Sequence, residues 1–159
     1  MEQKTLARWI RMAIVLVGIC GLFVYAVLLP LYGQSIVGQE PDHAYCYWPW
    51  LIFLWVTGLP CFGVLYMGWR VAGNIGRDRS FSQENARFLK IAAFLVAFDA
   101  ALFFVVNVVY LFLNLSHPGV TILSLVVTLA GAAISVVLAS LSRLVQKAAL
   151  LQEQSDLTI

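Results

Sequence analysis

The stretch RVAGNIGRDRSFSQENARFLK, residues 70–90, decides the fold because it is the one long polar run between two apolar blocks. Five of the chain's ten basic residues lie in it: Arg70, Arg77, Arg79, Arg87 and Lys90. A short basic connection between two bilayer-length apolar segments is typical of the cytoplasmic side of a membrane, because Lys and Arg resist translocation. The stretch therefore predicts a membrane protein and the orientation of its spans.

The composition of the whole chain points to the same class of protein. Of its 159 residues, 62% are hydrophobic and 11% are charged, whereas soluble domains have about 45–50% apolar and about 25% charged residues. A chain with so few charges cannot present a polar surface on all sides. We therefore expect one integral membrane domain, residues 1–159.

Four apolar segments are long enough to cross a bilayer, which takes about 20 residues. They are residues 12–31, 48–69, 88–114 and 120–144. They predict an all-α fold, a bundle of four transmembrane helices, with a kink at Pro60 in the second span. The loop at 70–87 and the tail at 145–159 are expected in the cytoplasm, and with both termini inside every Lys and Arg falls on one side.

The fourth span carries small and weakly polar residues at three- and four-residue spacing. They are Ser124, Thr128, Gly131, Ala132, Ser135, Ala139 and Ser142. Membrane helices associate through close packing and interhelical hydrogen bonds, which small residues and hydroxyls favour. The stripe is expected to face the other helices; the alternative is a homodimer face.

Asp99 is the one ionisable residue deep in a span, and Asn107 lies on the same face of the third helix. No span offers a cation, so a protonated carboxyl that donates to a backbone carbonyl, such as that of Val56, is expected. Ser135 should lie at a similar depth. Asp99 is interpreted as a structural hydrogen-bonding group, with a proton or cation site as the functional alternative.

No group of residues indicates catalysis or a cofactor. The outer-loop residues Glu40, Asp42, His43 and His117 have side chains that suit zinc, but their spacing matches no ligand motif. No nucleophile has an evident base, and no glycine-rich phosphate loop is present. We therefore predict no enzyme, no metal site, no cofactor and no direct contact with nucleic acid.

Three segments resemble a known family. They are LLPLYG at 28–33, RSFSQENARFLKIA at 79–92 and the acidic ending LQEQSDLTI at 151–159. In them the chain resembles the bacterial four-span membrane proteins known as domain of unknown function 2975. The resemblance implies a multi-pass protein of the bacterial cytoplasmic membrane. Members are often encoded beside a small helix-turn-helix transcription regulator, which implies that such a regulator is the cytosolic partner.

We expect a non-enzymatic protein that regulates or signals through its cytoplasmic face. The residues predicted to meet the partner are Asn74, Arg77, Arg79, Phe81, Ser82, Glu84, Asn85, Glu153, Asp156 and Leu157. One alternative is an immunity or envelope-stress protein that meets a membrane-active peptide through the aromatic edge at 45–50. A small transporter is the second alternative.

Overall fold

The computed structural model describes residues 3–39, 41–115 and 118–156, and all regular structure in these ranges is helical. The elements are α1 at Gln3–Phe23, a π-helical turn at Val24–Leu28, α2 at Leu29–Gln39, a 3-10 helix at Pro41–Cys46, α3 at Tyr47–Ile75, α4 at Gln83–Phe112 and α5 at Pro118–Asp156. Four stretches are long and apolar enough to cross a membrane: Gln3–Ser35, Ala44–Ile75, Gln83–Phe112 and Gly119–Ser155. The prediction of an all-α protein with four membrane-spanning helices is confirmed. The helices run beyond the predicted spans, so the connection between α3 and α4 is shorter than residues 70–87.

The helices pack in chain order, α1 against α3, α3 against α4 and α4 against α5. The Ser80 hydroxyl donates to Gln3 Oε1 at 2.9 Å, and the Ser142 hydroxyl donates to the Ala86 carbonyl at 2.6 Å. These bonds bring the start of α1, the connection between α3 and α4, and the last part of α5 to one end of the molecule. We call it the charged end, because the basic residues lie toward it.

The first long helix passes through Pro30 instead of ending there. Proline has no N–H and its ring crowds the carbonyl four residues earlier. The π-helical turn immediately before Pro30 widens the helix, and within it the Leu29 N–H bonds to the Val24 carbonyl. The next bond of this pattern would join residue 30 to the Tyr25 carbonyl, and proline cannot donate it. Trp55 Nε1 on α3 donates to that carbonyl at 3.1 Å, so a side chain replaces the missing bond.

Helices α4 and α5 are joined by a ladder of hydroxyl-to-carbonyl hydrogen bonds. On α5, Thr128, Ser135 and Ser142 lie seven residues apart. They donate, respectively, to the carbonyls of Ala100 at 3.3 Å, Ala93 at 2.8 Å and Ala86 at 2.6 Å, also seven apart. The three alanines are buried. The prediction that the small stripe of the fourth span faces another helix is therefore confirmed for its hydroxyl residues.

Two residues of that stripe do not face α4: Ala132 and Ala139 are exposed. The contact line of two packed helices repeats every 3.5 residues, so it selects positions four and three apart in turn. After Thr128 it continues through Gly131 and Ser135, and it leaves out the neighbouring alanine. A Cβ on Gly131 would lie 2.8 Å from Ala100 Cβ, so the two helices are in close contact there.

Candidate functional site at the charged end

The connection between α3 and α4 is a rigid turn built on two buried asparagines. Asn74 Nδ2 donates to Asn85 Oδ1 at 2.8 Å. Asn85 Nδ2 in turn donates to the carbonyls of Arg79 at 3.2 Å and Ser80 at 3.0 Å. Asn74 is 6% exposed and Asn85 is 1% exposed. The side chains of Asn74 and Asn85, which the sequence suggested as partner contacts, are therefore used inside the fold to hold the turn.

Both ends of the turn are capped. Helix α3 ends in a Schellman-type turn, in which Arg79 N donates to the Asn74 carbonyl and Asp78 N to the Ile75 carbonyl. Asp78 takes the left-handed conformation with a φ of 57°. Ser82 is the N-cap of helix α4, and its hydroxyl accepts from Asn85 N at 3.2 Å, as its position before an acidic first turn predicts. Hydrogen bonds thus hold the backbone at both ends of the turn.

Glu84 is also used within the fold. It accepts from Arg70 Nη2 at 3.1 Å and from Asn74 Nδ2 at 3.2 Å. Arg70 also donates to the Tyr66 hydroxyl, and its guanidinium lies 5.0 Å from the Phe88 ring centre. Glu84 therefore links α3 to α4, and its negative charge is already paired with Arg70 within the fold.

Three of the predicted contact residues in the turn face outward. Arg77 and Arg79 are exposed, and Phe81 is 59% exposed. Ala86 is buried beneath the Ser142 hydroxyl, whereas Phe81 stays largely at the surface. The turn thus presents two cations and one aromatic ring on a fixed backbone.

Helix α5 continues past Lys147 to Asp156. Ala149 is 2% exposed, so one face of this extension is buried. Leu150 and Leu151 are 46% and 67% exposed. The extension is therefore covered on one face and leaves two leucines free.

Several predicted tail contacts are not formed or not described. In the described part of the chain Glu153 forms no ion pair with Arg77 or Arg79. Leu157 lies outside the described residues, as does the side chain of Asp156. The contacts of these residues with a cytosolic partner stay a prediction.

Asp99 lies in a polar cluster formed by three helices. The Cys61 thiol donates to Asp99 Oδ2 at 3.6 Å, and the Tyr25 ring lies against α3 at Gly58. Asp99 therefore accepts from a side chain, and the expected donation to the Val56 carbonyl is not among its hydrogen bonds in the described part of the chain. Asp99 Oδ1 is buried and has no hydrogen-bond partner among the described residues. Tyr25 and Cys61 carry no sequence signal of this role, because only the crossing of the helices brings them together.

The other predicted intramembrane polar groups are satisfied. Asn107 is 6% exposed, and its Nδ2 donates to the Phe103 carbonyl of its own helix at 2.7 Å. Ser135 is part of the α4–α5 ladder. Asn107 and Ser135 therefore act in packing, whereas Asp99 and Thr121 each keep a buried oxygen without a hydrogen-bond partner among the described residues.

The opposite end of the molecule carries the aromatic edge. Tyr47 and Trp50 pack so closely on α2 that a Cβ on Gly33 would lie within 3 Å of both rings, at 2.7 Å and 2.9 Å. Tyr45 and Trp48 are 70% and 61% exposed. Half of this edge is therefore structural, and the rest has the exposure of an interfacial aromatic belt.

The side chains of the four outer-loop residues considered as zinc ligands lie outside the described part of the structure. Glu40 and His117 lie outside the described residues, and so do the side chains of Asp42 and His43. Among the described residues, no three His, Cys, Asp or Glu side chains lie close enough to hold a metal ion.

Helical spans of this length and apolarity define a polytopic α-helical membrane protein. A family described as protein of unknown function, DUF2975, matches residues 31–159. The chain belongs to this family. It is similar to the uncharacterized membrane protein YoaS of Bacillus subtilis strain 168, with 28% identity over 154 residues that cover 95% of this chain and 96% of the relative. No solved structure matches the chain.

Proposed function

We propose that the protein is a non-enzymatic regulatory protein that lies in the bacterial cytoplasmic membrane and binds a small helix-turn-helix transcription regulator at its charged end. The charged end would face the cytoplasm, as the positive-inside rule requires for a chain whose basic residues lie together. The observation that carries the proposal is the hydrogen-bonded turn, which presents Arg77, Arg79 and Phe81 at the same end of the molecule as the exposed leucines of α5. The resemblance of the sequence to its family supplies the kind of partner.

The rigidity of the turn favours a docking role over a passive connection. Two helices could be joined by a solvated loop without buried asparagines or a capped terminus. A backbone that is already ordered loses little conformational entropy when it binds, so more of the contact energy is available as affinity. An exposed aromatic ring flanked by arginines has the composition of a binding hot spot.

The end of α5 supplies the second half of the proposed surface. Leu150 and Leu151 lie beyond Lys147, where the helix has left the apolar part of its sequence. Leucines exposed to water gain free energy when a partner covers them. Glu153 lies next to them and adds one negative charge. The matching face of the partner would be apolar with an acidic rim toward Arg77 and Arg79.

An affinity capture from native membranes tests the proposal. The bait is the full chain with an N-terminal tag, and the expected capture is a small helix-turn-helix transcription regulator. Phe81→Ala combined with Leu151→Ala should lower the yield of regulator at least tenfold. Phe112→Ala combined with Leu113→Ala is the matched control, because these residues are 81% and 58% exposed at the opposite end of α4.

Deleting residues 152–159 tests the part of the surface that lies beyond the two leucines. We expect insertion and thermal stability in detergent to stay unchanged, because residues 152–155 are exposed, while the yield of regulator falls. An equal yield from the truncated chain would assign docking to the turn and the two leucines, which the deletion keeps. An equal yield from the Phe81 and Leu151 variant would refute the proposed surface.

A further inference from the structure

A groove of about 950 Å³ lies between the first half of α1 and the end of α3, at the charged end. Four cations line it: Lys4, Arg8, Arg11 and Arg77. None of its described lining residues is acidic. On α1 the three basic residues follow four- and three-residue spacing and so share one face of the helix. The groove therefore concentrates positive charge that no carboxylate in its walls offsets.

Arg11 is held in position by the protein but keeps donors unpaired. Its guanidinium lies 5.0 Å from the centre of the Trp69 ring, a cation–π distance. A Cβ on Gly73 would come within 2.9 Å of its Nη2, so the side chain uses the space that glycine leaves. Its Nε is buried and has no hydrogen-bond partner among the described residues. Arginine has five N–H donors in a planar fork that suits phosphate oxygens.

Arg70 shows that a cation at this end can be neutralised within the fold. It forms an ion pair with Glu84 at 3.1 Å and lies outside the groove. The groove cations have no such partner in the described part of the chain. Positive charge left unpaired at the edge of a membrane attracts anionic lipid headgroups.

The wall of the groove becomes apolar with distance from the charged end. Met12, Leu16 and Ile19 continue the α1 side of it and are 52%, 65% and 63% exposed. From Lys4 to Ile19 the helix rises about 22 Å at about 1.5 Å per residue. That length takes in a headgroup and much of one leaflet, whose hydrocarbon is about 15 Å deep, half of the bilayer core. A polar head and an apolar tail thus fit one continuous groove.

We propose that this groove binds one anionic glycerophospholipid. Its phosphate lies at Arg8 and Arg11, with Lys4 and Arg77 at the mouth, and an acyl chain runs along Leu16 and Ile19. The cations select a lipid with net negative charge over a zwitterionic one. The apolar wall selects a lipid over a free phosphate, because a small anion would leave that wall uncovered.

Native mass spectrometry of the full chain in detergent tests the site. Phosphatidylglycerol and phosphatidylcholine with identical acyl chains are supplied in equal amounts, and the ratio of singly bound species is measured. We expect the wild type to prefer phosphatidylglycerol. Arg8→Gln combined with Arg11→Gln should lower the ratio about fivefold for each charge removed, since a basic residue near anionic lipid contributes about 1 kcal/mol.

The matched control is Arg143→Gln combined with Lys147→Gln. This variant has the same net charge and alters the same end of the molecule, but its side chains lie on α5 and outside the groove. The ratio should stay at the wild-type value. If the control variant loses as much preference as the groove variant, the attraction is a property of the whole charged end and the site is refuted.

A second groove variant and a competition with a soluble anion complete the test of the lipid site. Lys4→Gln with Arg8→Gln replaces exposed side chains, and it should lower the ratio even if Arg11→Gln fails to fold. An excess of glycerol 3-phosphate should displace no phosphatidylglycerol. Displacement by this soluble anion, or a wild-type chain without preference between the two lipids, would overturn the proposal.

Discussion

Removal of one hydroxyl from the α4–α5 ladder should weaken the fold by a measurable amount. Ser135 donates to the Ala93 carbonyl at 2.8 Å across the helix interface. Hydrogen bonds between membrane helices contribute about 0.6 kcal/mol on average and at most about 1.7 kcal/mol. Ser135→Ala leaves no space large enough for another side chain to fill, so its cost should lie in this range. Ser142→Ala should cost at least as much, because its bond to Ala86 is shorter and more buried.

The matched control is Ser140→Ala on the exposed side of the same helix. Alanine has the higher helix propensity, a gain of up to about 0.7 kcal/mol that both substitutions share. The difference between the two variants therefore isolates the interhelical bond. Ser135 and Ser142 lie about 10 Å apart along α5, so the double variant should show the sum of the single effects, about 1.2 kcal/mol.

The assay is reversible unfolding in mixed micelles titrated with a denaturing detergent, followed by circular dichroism. We expect Ser135→Ala to lower the free energy of unfolding relative to Ser140→Ala by about 0.6 kcal/mol or more. Equal values for the two variants would show that the ladder contributes nothing, and that close packing of the alanines alone joins α4 to α5.

Three further predictions concern single positions. Trp55→Phe should lower stability by about 1 kcal/mol in the wild type and by less in a Pro30→Ala background, where the backbone regains its own donor; equal losses in both would refute the bond. Asp99→Asn should be tolerated and Asp99→Leu should cost about 0.6–2 kcal/mol, as thermal unfolding in detergent can measure; a loss of regulator capture by a well-folded Asp99→Asn variant would show that ionisation matters. Asp78→Cys, in a chain without its native cysteines, should resist labelling by a membrane-impermeant thiol reagent in intact cells. Labelling there would show that the turn between α3 and α4 lies outside the cell, opposite to the predicted orientation.

The class of fold follows from the sequence alone, because its signals are local. Four apolar segments, a basic connection between the middle pair and a serine before an acidic first turn are each read within about 20 residues. The small residues of the fourth span also predicted its contact face. Their three- and four-residue spacing is set by the helix itself, whatever the neighbour.

The shape of the charged end could only partly be foreseen. Gly73 lies in α3 and faces α1, where Arg11 approaches it, while Gly76 is the C-cap residue that follows α3 and lies near Ala7. The left-handed position belongs to Asp78. A glycine can serve a turn or a close approach, and the sequence carries no mark that distinguishes them.

Apart from the contact face of the fourth span, tertiary structure alone decided which faces meet. In a soluble protein the apolar face of a helix is the buried one, but lipid is as apolar as leucine, so hydrophobicity does not separate the inside from the outside. The exclusion of Ala132, the bond from Trp55 to Tyr25 and the position of Arg11 over Trp69 all depend on how two helices cross. That crossing is set by the fit of side chains on both partners, and no single segment of sequence contains it.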